Sequence, residues 1–232
     1  MKKLLLLVTI AACVAACQQK NAEVSDFVRV EDGHFMRGDK PYYYVGTNFW
    51  YGAILGSEGQ GGNRERLVRE LDEMKRMGID NLRILVGSDG ERGVKTKVEP
   101  TLQEKPGVYN DTILAGLDYL LMEMGKRQMV AVLYLNNSWE WSGGYGFYLE
   151  HAGLGKQPRP DEAGYPAFME AMTQYATNEK AHQLFYDYVR FIIGRTNRYT
   201  GLKYIDDPAI MSWQIGNEPR AFSKEALPAF EK

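Results

Sequence analysis

Three short runs rich in apolar residues, Ile79–Val86, Met129–Leu135 and Ala209–Gly216, constrain the fold more than any other feature of the chain, although Asp80, Asn81 and Arg83 interrupt the first and Ser212 and Gln214 the third. Each has the length of a strand, and a strand without polar alternation is one buried on both faces. Between them, apolar residues recur at helical spacing. Arg64–Met77 carries Leu67, Leu71, Met74 and Met77, with Asn63 placed to cap its start and Gly78 to end it. Thr112–Lys126 carries Leu114, Leu117, Leu121 and Met124 behind a cap at Asp111, and Asn178–Asn197 carries Leu184, Phe185, Tyr188, Val189 and Ile192. Ahead of these, Phe27–Val45 reads as β structure around turns at Asp32-Gly33 and Gly38-Asp39. It leads into a strand end at Gly46-Thr47-Asn48-Phe49-Trp50.

The order β, α, β, α, β, α, β predicts a parallel sheet, either open and doubly wound or closed into a barrel. An open sheet of this kind usually advertises a glycine-rich phosphate loop after its first strand, and no GxGxxG or Walker pattern is present. The long segments Gly87–Asn110 and Asn136–Thr177 both follow strands, where barrels carry their chemistry. The expected fold is therefore α/β: the N-terminal half of a (β/α)8 TIM barrel, preceded by an N-terminal β-hairpin. A whole barrel takes eight units and about 250 residues. With four strands legible, residues 27–232 are expected to be the first half of a catalytic domain that continues past Lys232, a fragment inactive by itself.

The amino terminus predicts export. A basic start, Met1-Lys2-Lys3, precedes a short apolar run from Leu4 and then small residues, the pattern of a secretory signal and too short for a membrane span. Val14-Ala15-Ala16-Cys17 resembles a bacterial lipobox. Cys17 is the expected lipidation site, with Cys13 as the alternative, because a polar tether over 18–26 begins directly after Cys17. Residues 1–17 are thus the expected signal peptide, and the protein is expected at the cell envelope or surface, or secreted. Both cysteines fall in that segment, which leaves the exported domain without disulfide or thiolate chemistry. Lys+Arg 28 against Asp+Glu 30 gives no electrostatic reason to expect nucleic acid as a partner. A monomer whose only membrane contact is its lipid anchor is expected.

The chemistry concentrates at Trp213-Gln214-Ile215-Gly216-Asn217-Glu218-Pro219-Arg220. A strand here delivers Asn217 and Glu218 to the carboxyl end of the sheet, where barrel enzymes place catalytic groups. A carboxyl group partly desolvated by aromatic neighbours could hold a proton and donate it to a leaving oxygen. The alternative is a solvated loop carboxylate. Asp89 and Glu91 follow the second apolar run in a Gly- and Arg-rich loop and are expected to be solvated. Arg83 sits among Leu82, Ile84, Leu85 and Val86 in the run Ile79–Val86 and needs a partner, since an unpaired buried charge is costly. Trp50, Trp139 and Trp141 follow strands and offer indole faces to sugar C–H surfaces, or else pack within their loops. Trp213, in mid-strand, is expected in the core. His34, His151 and His182 lack metal-ligand spacing, and there is no GxSxG elbow. No metal or cofactor is expected.

Over nearly all of Phe27–Lys232 the chain resembles glycoside hydrolase family 5, and within it the β-mannanases. The matching pieces are Gly46 to Tyr51, Asn81-Leu82-Arg83, Leu135-Asn136-Asn137 with Trp139 and Gly143-Gly144, Arg195-Thr196-Asn197 with Thr200-Gly201, and Trp213 to Arg220. The resemblance implies retaining hydrolysis of internal β-1,4-mannosidic bonds. It makes Glu218 the acid/base, Asn217 the partner of the sugar 2-hydroxyl and Arg83 the residue that positions the nucleophile. The nucleophile itself, a second glutamate after the seventh strand, is expected to be absent from this chain. Asn136 joins the expected substrate-binding set with Asn217, Arg83 and the three tryptophans. The sequence departs from the family pattern at Asn137-Ser138-Trp139, where many members place tryptophan directly after the asparagine pair. The alternatives are another family 5 β-glycanase, such as a cellulase-like enzyme, or a non-catalytic surface glycan-binding lipoprotein.

Overall fold

The computed structural model describes residues 27–230. The signal peptide, the tether and both candidate lipidation cysteines, Cys13 and Cys17, lie outside the described residues. The chain divides between Tyr42 and Tyr43 into two compact units.

The described part of the first unit is a three-stranded antiparallel meander: β1 (Val28–Glu31), β2 (His34–Arg37) and β3 (Lys40–Pro41). Asp32 and Gly33 turn β1 into β2 with φ of 50° and 78°, the left-handed pair that a two-residue hairpin loop demands. Strand structure ends at Pro41. Val45, expected within this β region, instead begins the sheet of the second unit.

That sheet has four parallel strands in sequence order: β4 (Val45–Asn48), β5 (Ile79–Leu85), β8 (Val130–Tyr134) and β9 (Ile210–Gln214). After β4 come a short helix, α1 (Gly52–Leu55), and the crossover helix α2 (Arg64–Arg76). A small hairpin, β6 (Gln103–Lys105) with β7 (Val108–Tyr109), lies in the β5 loop ahead of α3 (Asp111–Lys126). The segment after β8 was expected to be irregular. It holds helices α4 (Gly144–Leu149) and α5 (Pro160–Met172) before α6 (Glu179–Ile193). Gly164 (φ 81°) breaks α5 internally and Pro166 follows, so the glycine and proline that interrupt the backbone also erased the periodicity from the sequence. A final short helix, α7, spans Leu227–Phe230.

Asparagine starts each of the three crossover helices. Asn63, Asn110 and Asn178 accept backbone N–H groups from Arg66 (2.9 Å), Thr112 (3.1 Å) and Ala181 (2.9 Å). Asn110 therefore takes the capping role expected of Asp111, which is already the first helical residue. Met77, expected on the apolar face of α2, lies past its end and is 55% exposed. Leu67, Leu71, Leu117, Leu121, Phe185 and Ile192 of the crossover helices join Leu82, Ile84, Ala131 and Leu133 of the strands in one buried cluster. Helices thus cover one face of the sheet.

One buried acid fastens the helix layer. Asp118 of α3 is fully buried. It accepts hydrogen bonds from Arg195 Nε (2.9 Å) and Nη2 (2.6 Å), from Arg198 Nε (3.1 Å) and from the Tyr204 hydroxyl (2.5 Å). Asn197 Nδ2 donates to the Asp118 backbone oxygen at 2.9 Å. The motif Arg195-Thr196-Asn197 is accordingly a clamp between α3 and the connection from α6 to β9. Removing one partner of a buried ion pair leaves the others uncompensated, at a cost of about 3–5 kcal/mol. Asp118→Ala in the complete protein is expected to lower the urea unfolding midpoint by a matching amount. An unchanged midpoint would show the clamp to be dispensable.

Candidate active site

Pairing between β8 and β9 continues beyond both strands and carries the chemistry with it. The Leu135 N–H donates to the Gln214 carbonyl (2.9 Å), Asn217 N–H to the Asn136 carbonyl (2.8 Å) and Ser138 N–H to the Asn217 carbonyl (3.3 Å). Asn137 and Asn217 form an isolated parallel bridge, and Asn217 Nδ2 donates to Asn137 Oδ1 at 3.3 Å. Glu218, next in line, has φ of +46°, left-handed for a residue with a side chain. Such a conformation costs on the order of 1–3 kcal/mol and persists only where neighbours enforce it. Ser138 contributes, its hydroxyl donating to the Glu218 carbonyl at 2.7 Å.

The Glu218 carboxylate meets Trp139. The indole Nε1–H donates to Oε2 at 2.9 Å, and Arg220 Nη2 lies 3.8 Å from the same oxygen. The Glu218 side chain is 58% exposed, and the aromatic residues gather around Trp139. Phe168 lies near-parallel to the Trp139 ring at 5.9 Å. Phe222 and Tyr165 meet it edge-on at 5.5 and 6.0 Å, and the Arg220 guanidinium sits 5.4 Å from its centre.

Arg83 is the second focus. From β5 its guanidinium reaches across the sheet to three side-chain oxygens: Gln214 Oε1 (2.7 Å), Asn217 Oδ1 (3.0 Å) and, more weakly, Asn48 Oδ1 (3.4 Å). It lies 4.2 Å from the centre of the Tyr134 ring. All three oxygens are neutral, so the guanidinium is hydrogen-bonded yet its charge is not cancelled by them.

The remaining expected residues are placed as follows. Trp50 is exposed just past β4, edge-on to Tyr51. Trp141 is half-buried in the turn Glu140–Ser142, and its carbonyl accepts from Val98 N–H at 2.7 Å. Asn136 lies at the end of the β8 ladder. It is buried, and its Oδ1 takes the Asn137 N–H at 2.7 Å, so it fastens the strand ends. Trp213 is half-buried against the core cluster. Glu218, Trp139, Asn217 and Arg83 therefore form one connected group, whereas Trp50 and Trp141 have no hydrogen bond to it among the described residues. Gln214, Ser138 and Arg220 belong to that group and were not singled out from the sequence. A glutamine closing an apolar strand was the available signal for the first of them.

Asp89 overturns its expectation most clearly. It is 1% exposed, held beneath the loop that follows β8. Its backbone N–H donates to the Ser142 carbonyl at 3.0 Å, and its Oδ2 accepts from the Tyr148 hydroxyl at 3.2 Å. Its Oδ1 has no hydrogen-bond partner among the described residues. Gly143 (φ +93°) passes directly over it, and a Cβ there would stand 2.5 Å from the Asp89 carbonyl oxygen. Glycine is required at that crossing for both its backbone angle and its lack of a side chain. A cavity of about 260 Å³ opens between these loops. Gly90, Lys97, Glu140, Gly143, Arg159 and Phe168 are among its lining residues; Glu218 is not.

Four parallel strands with polar side chains gathered at their carboxyl ends are the arrangement of part of a (β/α)8 barrel. The chain belongs to the glycoside hydrolase family 5 β-mannosidase-like group, whose family model matches residues 25–232. It is similar to a glycoside hydrolase family 5 mannosidase from Rhizomucor miehei, with 35% identity and a TM-score of 0.79 over 88% of this chain and 54% of that one. An endo-1,4-β-mannanase from the same fungus matches at 26% identity and a TM-score of 0.63, over 84% and 49% of the two chains. Among curated proteins, a mannan endo-1,4-β-mannosidase of Solanum lycopersicum is 29% identical over 87% of this chain and 44% of its own length. A putative one of Oryza sativa subsp. japonica is 29% identical over 84% and 36%. The chain thus spans between a third and a half of the curated relatives it matches.

Burial pushes the Asp89 carboxyl up from its ordinary value of 3.8 to about 7, against the opposing effects of the nearby Gln103 amide, the Tyr148 hydroxyl and the Lys97 charge. Between roughly pH 4 and 7 the folded chain therefore holds a proton that the unfolded chain has released. Asp89's contribution to stability is complete below that window and lost as pH rises through it. In thermal unfolding, Asp89→Asn is expected to gain stability relative to the parent between pH 4 and pH 8. A difference that stays flat across this range would contradict the buried, protonated carboxyl.

Proposed function

We propose that the complete protein hydrolyses β-mannosidic bonds of mannans by a retaining double displacement, with Glu218 as acid/base. The observation that carries this reading is that Asn217, followed directly by Glu218 beyond the end of β9, is held by Arg83 reaching over β8 from β5, in a chain of this family. Retaining hydrolysis needs a second carboxyl about 5–5.5 Å from the first, acting as nucleophile. On this reading the nucleophile is supplied from outside residues 1–232. The uncancelled charge of Arg83 supports this, since a cation fixed at the site favours an incoming carboxylate.

In the first step Glu218 protonates the departing glycosidic oxygen while the nucleophile attacks the anomeric carbon. In the second, Glu218 takes a proton from water as that water displaces the enzyme carboxylate. Asn217 stands beside Glu218, and its Oδ1 is fixed by Arg83 and its Nδ2 by Asn137. It is thereby oriented for a hydroxyl of the sugar. The amino-terminal signature supports export with a lipid anchor at Cys17.

A second reading concerns where the glycan is cut. The mannosidase from R. miehei matches more strongly than the endo-mannanase from the same source, in both identity and TM-score, which favours release of single residues from chain ends over internal cleavage. The viscosity of a mannan solution separates the two readings, since internal cleavage lowers it steeply for each bond broken whereas end-acting cleavage releases mannose with little loss of viscosity.

Glu218→Gln in the complete protein is expected to abolish nearly all turnover of mannooligosaccharide while leaving its affinity for that ligand intact, as measured by calorimetry. Retained turnover would remove Glu218 from its assigned role.

A further inference from the structure

We propose that Trp139 is a positioning residue that serves the reaction through its indole N–H, holding Glu218 Oε2 so that Oε1 alone carries the catalytic proton. The proposal rests on the assignment of Glu218 as acid/base and deepens it.

The indole N–H is a donor only. At 2.9 Å from Oε2 it requires that oxygen to be an acceptor. The Arg220 guanidinium, 3.8 Å from the same oxygen, adds positive charge there. When the carboxyl is protonated, Oε2 is the carbonyl-type oxygen and the proton sits on Oε1, free of both groups. Protonation of the leaving oxygen breaks the Oε1–H bond and leaves the carboxylate. The second step re-forms it with a proton from water. Oε2 accepts from Trp139 throughout, so the carboxyl does not rotate between steps.

The surroundings of Trp139 fit this role better than that of a sugar platform. Its ring is engaged by Phe168, Phe222, Tyr165 and Arg220, and it packs against the buried core. Phe168 is itself 2% exposed, so the near-parallel contact anchors the indole to a fixed surface. Two consecutive residues therefore hold the same glutamate. Ser138 bonds its main-chain oxygen and Trp139 its carboxylate, which together fix a residue in a left-handed conformation. Locking the rotamer of a reacting group through neighbours of this kind is how catalytic geometry is kept within a fraction of an ångström.

The test exploits leaving groups. Departure of a sugar requires a proton; departure of 2,4-dinitrophenolate does not. Trp139→Phe in the complete protein is assayed on mannotetraose and on a 2,4-dinitrophenyl β-mannoside. A second version replaces the Trp139 indole by benzothiophene, which keeps the ring shape and removes the N–H. Both changes are expected to lower kcat on mannotetraose by roughly 10- to 100-fold, part of what general acid catalysis contributes, with KM little altered. The kcat/KM for the dinitrophenyl substrate, which reports only the first step, is expected to stay within about twofold of the parent on the same reasoning. Equal losses on both substrates would mark a structural role, a rise in KM alone would mark a sugar platform, and no loss would leave the N–H without function; each overturns the proposal. Glu218→Gln is run alongside. If it shows no dependence on the leaving group, the acid/base assignment fails, and the positioning of Glu218 with it.

Discussion

A single guanidinium ties the candidate site together. Arg83 lies in β5, yet its hydrogen bonds end on Gln214 and Asn217 at the end of β9 and on Asn48 at the end of β4, with the Tyr134 ring of β8 against it. All four parallel strands thus have a side chain on one charge. Placing that charge in a sheet is tolerable only because its donors are occupied, and the planar fork of arginine can serve several acceptors at once. The same contacts orient Asn217, and the chain direction after Asn217 sets Glu218.

Around this centre the backbone does much of the placing. The β8–β9 ladder runs on through Asn136, Asn137 and Asn217, so the strand ends are fastened by asparagine side chains and main chain together. The loops above are clamped to each other. Asp89 from the β5 loop lies under Gly143 of the β8 loop, and Val98 bonds the Trp141 carbonyl. The Gly143-Gly144 pair is explained by this crossing, since Cβ atoms there would meet the Asp89 and Trp139 carbonyls at 2.5 Å. The helix side of the sheet has its own fastening at Asp118, remote in sequence from the arginines it holds.

The parts of this arrangement that were legible in the sequence are those governed by periodicity. The apolar runs of β5, β8 and β9 and the stripes of α2, α3 and α6 fall within a few residues of their expected limits. Asn217 and Glu218 could be placed because a strand end fixes position. Side-chain partners were not legible, because they depend on residues far apart in the chain: Trp139 meets Glu218 across 79 residues and Arg83 meets Gln214 across 131. Asp89 was misjudged for a related reason. Its glycine- and arginine-rich neighbours resemble a solvated loop, and only the second loop folding over it makes the site dry. Helices α4 and α5 were hidden by the glycines and prolines within and beside them.

The chemistry assigned to this face depends on Arg83 acting as a fork rather than as a charge. Lysine would preserve the charge and fit the strand, but a point cation cannot hold Gln214, Asn217 and Asn48 together. The decisive measurement is kcat/KM on mannooligosaccharide for Arg83→Lys in the complete protein, with the unfolding midpoint recorded beside it. The account requires activity to fall by roughly tenfold to a hundredfold, the cost of a catalytic group misplaced by about an ångström, while the protein stays folded. Undiminished activity would show that the site is organised by something other than this arginine.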